Sequence, residues 1–194
     1  MMTEIADKKT LIWEIWYDVL FDPAAAMRSV AAAPRKGPAL FSLISGLLPP
    51  WALYFAVGGT GSDLAGALLP LWIVLAIGFW FAAAALLHLA AVLAGGRGDA
   101  SVLLCALGYV LLPQFFLIPA AAFAWGLPPG ARMAGFIAGP ALLLCWSLRL
   151  SLLALRQGYG LTAAKAALVL LVPIFLPAGI FLLAVAALGF GIFL

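Results

Sequence analysis

The sequence predicts an all-α membrane protein: five transmembrane helices preceded by an amphipathic N-terminal interfacial helix. Three observations predict it. Hydrophobic residues make up 67% of the chain and charged residues 9%, with a mean hydropathy of +1.22. A soluble domain is about half apolar and roughly a quarter charged, so this chain carries more apolar surface than it can hide from water. Five apolar stretches each approach or exceed the ~20 residues needed to cross ~30 Å of hydrocarbon. The basic residues, finally, fall almost entirely on one side of that five-span arrangement.

The chain divides into a cytoplasmic N-terminal segment, 1–38, and a membrane domain, 39–194. Residues 1–10 are polar and mixed in charge, and no cleavable signal peptide is evident there. In "LIWEIWYDVLFD", Ile12, Ile15, Trp16 and Val19 recur at helical spacing, with Glu14 and Asp18 on another face. This amphipathic helix is too short and too charged to span. Trp13, Trp16 and Tyr17 favour the membrane interface, whereas acidic residues are unusual on a lipid-bound helix. Lying on lipid and packing on the protein's own surface are both open. Asp22-Pro23 has the form of a cap followed by a first-turn proline, opening a short helix through "AAAMRSVAAA". "PRKGP" ends that helix and places two cations just before lipid.

The predicted spans are about 39–57, 65–94, 101–126, 134–156 and 166–193. With the N-terminus in the cytoplasm, Lys8, Lys9, Arg28, Arg35, Lys36, Arg97, Arg156 and Lys165 fall inside, Arg149 lies near that surface, and Arg132 falls outside. The positive-inside rule then gives an N-in, C-out topology in a bacterial cytoplasmic membrane. Pro49-Pro50, Pro113, Pro119, Pro173 and Pro177 lie within spans and predict kinks. Pro113 should free the carbonyl of Tyr109, and Gln114 is placed to donate to it.

"LAGGRGDAS", Leu93 to Ser101, is the cytoplasmic turn between the second and third spans. Gly95 or Gly96 can take the left-handed conformation that ends a helix, and Asp99 or Ser101 can cap the next. The Lys-Ser/Thr of a phosphate loop is absent, and no strand precedes the turn. His88, Arg149 and Lys165 form a candidate polar cluster in the cytoplasmic leaflet. A pairing of Arg149 with Asp99 would lock the turn to the fourth span.

"GGRGDASVLLCALGYVLLP", with Gly95, Gly96, Arg97, Gly98, Asp99, Tyr109 and Pro113, resembles the core motif of the Yip family of five-helix membrane proteins, which were first known as partners of Ypt/Rab GTPases. "LFDPAAAMRSV" resembles the segment before the membrane in that family, and "LRQGYGLTAAKA" the stretch before its last helix. The resemblance implies five spans and an N-in, C-out topology, as in a bacterial-type member. The eukaryotic branch carries an Asp-Leu-Tyr-Gly-Pro motif in a longer cytosolic domain. Here only Asp22-Pro23 is present, which speaks against GTPase binding.

Other function classes find little in the residues. One histidine and two separated cysteines do not make a metal site, and no cofactor motif appears. The cations are scattered, so no nucleic-acid patch is visible. No catalytic carboxylate pair or triad can be assembled. The expected role is a non-enzymatic scaffold or adaptor whose partners are the bilayer and another membrane protein or a second copy. The alternative is a small transporter or channel built on the kinked helices. Small residues along the second span and in "AGFIAG" offer surfaces for close helix packing.

Overall fold

The structure, a computed structural model, describes residues 12–58, 62–173 and 175. Among these residues all regular structure is helical: α1 (Ile12–Phe21), α2 (Pro23–Ala32), α3 (Lys36–Gly58), α4 (Ser62–Leu93), α5 (Ala100–Val110), a 3-10 turn (Leu112–Phe116), α6 (Leu117–Gly126) and α7 (Pro129–Tyr159). A further apolar helix, α8, covers Ala163–Pro173.

Among the described residues three stretches are long and apolar enough to cross a membrane: Gly66–Leu93, Ala100–Gly126 and Pro129–Tyr159. They correspond to the second, third and fourth predicted spans. The first predicted span is the 23-residue helix α3. The fifth begins as α8, and its remainder past Phe175 lies outside the described residues, as do Lys8 and Lys9. Only 17% of the most apolar window of Gly66–Leu93 is buried against protein. Phe79, Phe123, Trp125 and Ile137 point outward from the spans. Side chains of this kind on the outside of a helical body are stable in lipid and not in water.

The N-terminal segment folds onto the body as a helical hairpin. Asp22 accepts a hydrogen bond from the Ala25 N–H at 3.1 Å, with Pro23 in the first turn of α2. Ile15 and Val19 of α1, and Ala26, Met27 and Val30 of α2, are buried in one cluster with Tyr109 and Leu112 and with Leu150 and Ala154 of α7. The Trp16 indole donates to Ser42 Oγ at 2.8 Å, and that hydroxyl donates to the Pro38 carbonyl at 2.7 Å. The inner face of α1 therefore packs on protein. A second cluster joins Leu87 and Ala91 of α4, Leu103 of α5, Leu155 and Tyr159 of α7, and Ala166 and Val169 of α8.

The third predicted span departs from a single kinked helix. Pro113 cannot donate a backbone hydrogen bond, so α5 stops at Val110 and the chain tightens into the 3-10 turn before α6 resumes. The Tyr109 carbonyl is met by the Leu111 N–H. Gln114 bonds through its backbone, N–H to the Leu111 carbonyl at 3.0 Å, and not through its side chain as the sequence suggested. Pro119 falls in the first turn of α6, where no donor is needed. Of the two cysteines, Cys105 is buried and Cys145 faces outward.

Small residues set the closest helix approaches. A Cβ on Gly108 would collide with the Ala39 carbonyl of α3, and one on Gly46 would lie 2.6 Å from the Leu111 carbonyl oxygen. Gly135 and Gly139 of "AGFIAG" likewise face Ala124 and Ala120 of α6. The Trp80 indole donates to the Leu104 carbonyl at 3.0 Å and joins α4 to α5. Gly78 has open space around it. Gly108→Ala is expected to cost about 1–3 kcal/mol by overpacking. Gly78→Ala is expected to be neutral or stabilising. Thermal unfolding of the two variants in mild detergent checks the contrast.

Candidate functional site

The turn from Leu93 to Ser101 is built by three local devices. α4 ends with the Gly95 N–H on the Val92 carbonyl at 2.9 Å and the Gly96 N–H on the Ala91 carbonyl at 2.8 Å. These two bonds form a Schellman cap, and Gly95 supplies the left-handed residue it requires, at φ 90°. α5 starts with the Asp99 carboxylate accepting from the Ser101 N–H at 2.9 Å. This bond holds the exposed carboxyl below the usual aspartate range. Gly96 and Gly98 serve a third purpose, which is to make room.

That room is taken by Tyr159, the last residue of α7. A Cβ on Gly96 would lie 3.0 Å from the Tyr159 Cβ, and one on Gly98 would collide with the Gly158 carbonyl and the Tyr159 ring. The Arg97 N–H donates to the Tyr159 carbonyl at 3.2 Å, and the Tyr159 hydroxyl donates to the Asp99 carbonyl at 3.2 Å. The same hydroxyl is hydrogen-bonded to Nδ1 of His88. α7 then ends at Gly160, at φ 67°, and α8 sends Lys165 Nζ back to the Ala94 carbonyl at 2.9 Å. Four helices are tied at this point through a tyrosine that is 4% exposed.

The predicted site residues divide accordingly. Gly95, Gly96, Arg97, Gly98, Asp99, His88 and Lys165 come together around Tyr159. Tyr109 and Pro113 are buried in the other cluster or beside it, against α2, α3 and α7. Arg149 does not join the site: its side chain is exposed, and Asp99 is engaged by Ser101 with no ion pair to Arg149 among the described residues. The turn is locked to the fourth span as proposed, but by Tyr159 and backbone bonds. The reason is reach. Arg149 lies ten residues, nearly three turns, before Tyr159, whereas the tyrosine sits at the helix end where the turn passes.

Sequence reasoning missed Tyr159 itself. The available signal was the pair of glycines around it in "QGYGL", where an aromatic residue ends a helix opposite a glycine-rich turn. The Arg97, Asp99 and Lys165 side chains remain exposed. Among the described residues no group of three or more His, Cys, Asp and Glu side chains could hold a metal ion. The arrangement is one of shape and hydrogen bonding with a charged outer surface.

Two expectations follow. Tyr159→Phe keeps the ring and removes both hydroxyl bonds, and should cost about 1–3 kcal/mol. His88→Ala in the same background should add less than its effect alone, as a double-mutant cycle in detergent unfolding will read. The lowered Asp99 value means that its cap contribution is complete above the ordinary aspartate range and fades as pH falls through the lowered native value. Asp99→Asn keeps a capping oxygen without a titrating group, so local amide exchange near Ser101 should lose that acid dependence.

Comparison with curated proteins and with solved structures gave no match. A family model described as the Yip1 domain matches residues 17–186, which takes in α2 to α8, the second half of α1 and the turn cradled on Tyr159; the chain belongs to the Yip family.

Proposed function

We propose that this membrane protein is a non-enzymatic scaffold or adaptor of the bacterial cytoplasmic membrane. It crosses five times, with α3 and the helix begun by α8 as the first and last spans, its N-terminus inside and its C-terminus outside. It binds another membrane protein, or itself, through the cytoplasmic surface around the glycine turn. One observation carries this reading: the turn is fixed from below by Tyr159, His88 and Lys165, while the Arg97 and Asp99 side chains are left exposed above it. A rigid backbone presenting opposite charges side by side suits protein recognition, because little ordering entropy is lost on binding.

The transporter reading needs a polar path through the bundle near Pro113 and Gln114. Pro113 is buried, and the two large grooves beside α4, about 510 and 410 Å³, have almost wholly apolar linings and open sideways. Such grooves suit lipid or helix contact.

The test has two arms. Ala100→Cys, with Cys105 and Cys145 replaced by serine, should react with an impermeant maleimide in inside-out vesicles and not in right-side-out ones. A photo-crosslinking residue at Ala100 should capture a discrete adduct in cells, and Arg97→Ala should abolish it while shifting stability by no more than ~0.5 kcal/mol. Labelling from the outer side, or an adduct indifferent to Arg97, would overturn the proposal.

A further inference from the structure

α1 presents three rows of side chains at four-residue spacing, and each row meets a different environment. Ile15 and Val19 are buried against the body. Trp13, Tyr17 and Phe21 are 62%, 62% and 71% exposed and form an aromatic edge, with Tyr17 and Phe21 in ring contact at 4.6 Å. Glu14 and Asp18 form an acidic edge beside it, Glu14 exposed and Asp18 half-buried. Packing on protein explains the first row and leaves the other two unexplained.

The seat of the helix shows what covers the aromatic edge. Trp16 stacks on Phe41 at 5.8 Å and lies against Phe115 at 5.4 Å. Phe41 is 51% exposed, and Phe115 belongs to the membrane-crossing stretch Ala100–Gly126, where exposed Phe116 and Ile118 follow it. α1 therefore rests on the lipid-facing surface of a span, and its aromatic edge extends that surface. Its anchor, Ser42, comes only six residues after Lys36, at the charged start of α3. The composition fits this depth: tryptophan and tyrosine collect at the headgroup boundary, while carboxylates must reach water.

We propose that α1 is a lipid-embedded flank of the cytoplasmic leaflet, with Trp13, Tyr17 and Phe21 in contact with bilayer lipid and the Glu14–Asp18 edge facing headgroup water. This rests on the membrane reading above. It differs from the usual surface helix, which binds anionic lipid through lysine and arginine. Here the protein body supplies the anchoring, and the acidic edge makes contact with the leaflet independent of lipid charge.

The test uses the full chain in phosphatidylcholine nanodiscs, with Cys105 and Cys145 replaced by serine. Single cysteines are placed by Glu14→Cys, Tyr17→Cys and Ile137→Cys, the last at an outward position in the apolar first third of α7. A water-soluble maleimide should label Tyr17→Cys about tenfold more slowly than Glu14→Cys. The difference should vanish in denaturing detergent and persist unchanged when anionic lipid is added. Equal rates in the nanodisc, protection that requires anionic lipid, or a disulfide-linked dimer through Tyr17→Cys would each overturn the proposal. Rapid labelling of Ile137→Cys would instead show that the membrane reading itself had failed.

Discussion

The structure depends on one close fit, the Tyr159 side chain set into a turn whose glycines leave it room. A reversal pressed against a buried ring loses water on that side, so the backbone groups it covers must be paired within the protein. Tyr159 does much of that from a single position. Its carbonyl takes the Arg97 N–H and its hydroxyl serves the Asp99 carbonyl, while Lys165 covers Ala94. The second buried cluster collects around the same residue.

The same constraint shapes the other half of the molecule. Proline at position 113 ends a helical ladder inside an apolar segment, and a 3-10 turn absorbs the mismatch. The break sits where α3 comes closest, because Gly46 and Gly108 let backbones approach to the limit of contact. Two indole N–H groups are placed by similar logic. Trp80 reaches a carbonyl of α5, and Trp16 reaches a serine hydroxyl that is itself bonded to its own helix. Large apolar bodies with one polar tip thus tie neighbouring elements together at these two points.

The fold was legible in the sequence wherever a signal was local. The Asp22-Pro23 cap, the left-handed glycine at position 95 and the inward row of α1 follow from residue chemistry within one turn. The grouping of His88 and Lys165 with the glycine turn was legible as a matter of depth. Its physical agent was not, since Tyr159 is distant in sequence from everything it touches and tyrosine near a helix end is ordinary. Arg149 shows the converse. Its charge suggested a partner, but its position along α7 leaves it facing outward, well short of the turn. The full break at Pro113 was also hidden, because proline alone does not distinguish a bent helix from an interrupted one.

The length of α4 has a mechanical consequence. At 32 residues it measures about 48 Å, half as long again as the hydrocarbon it crosses. The excess must be taken up by tilt, by bending or by protrusion from the bilayer, and an apolar trough lined by Leu47, Trp72 and Leu75 opens between α4 and α3. Its C-terminal half is held at Trp80, Leu87 and Ala91, whereas the half before it has far less to hold it. A thinner membrane enlarges the excess and a thicker one reduces it, so bilayer thickness acts first on the half of the helix with the fewest holds.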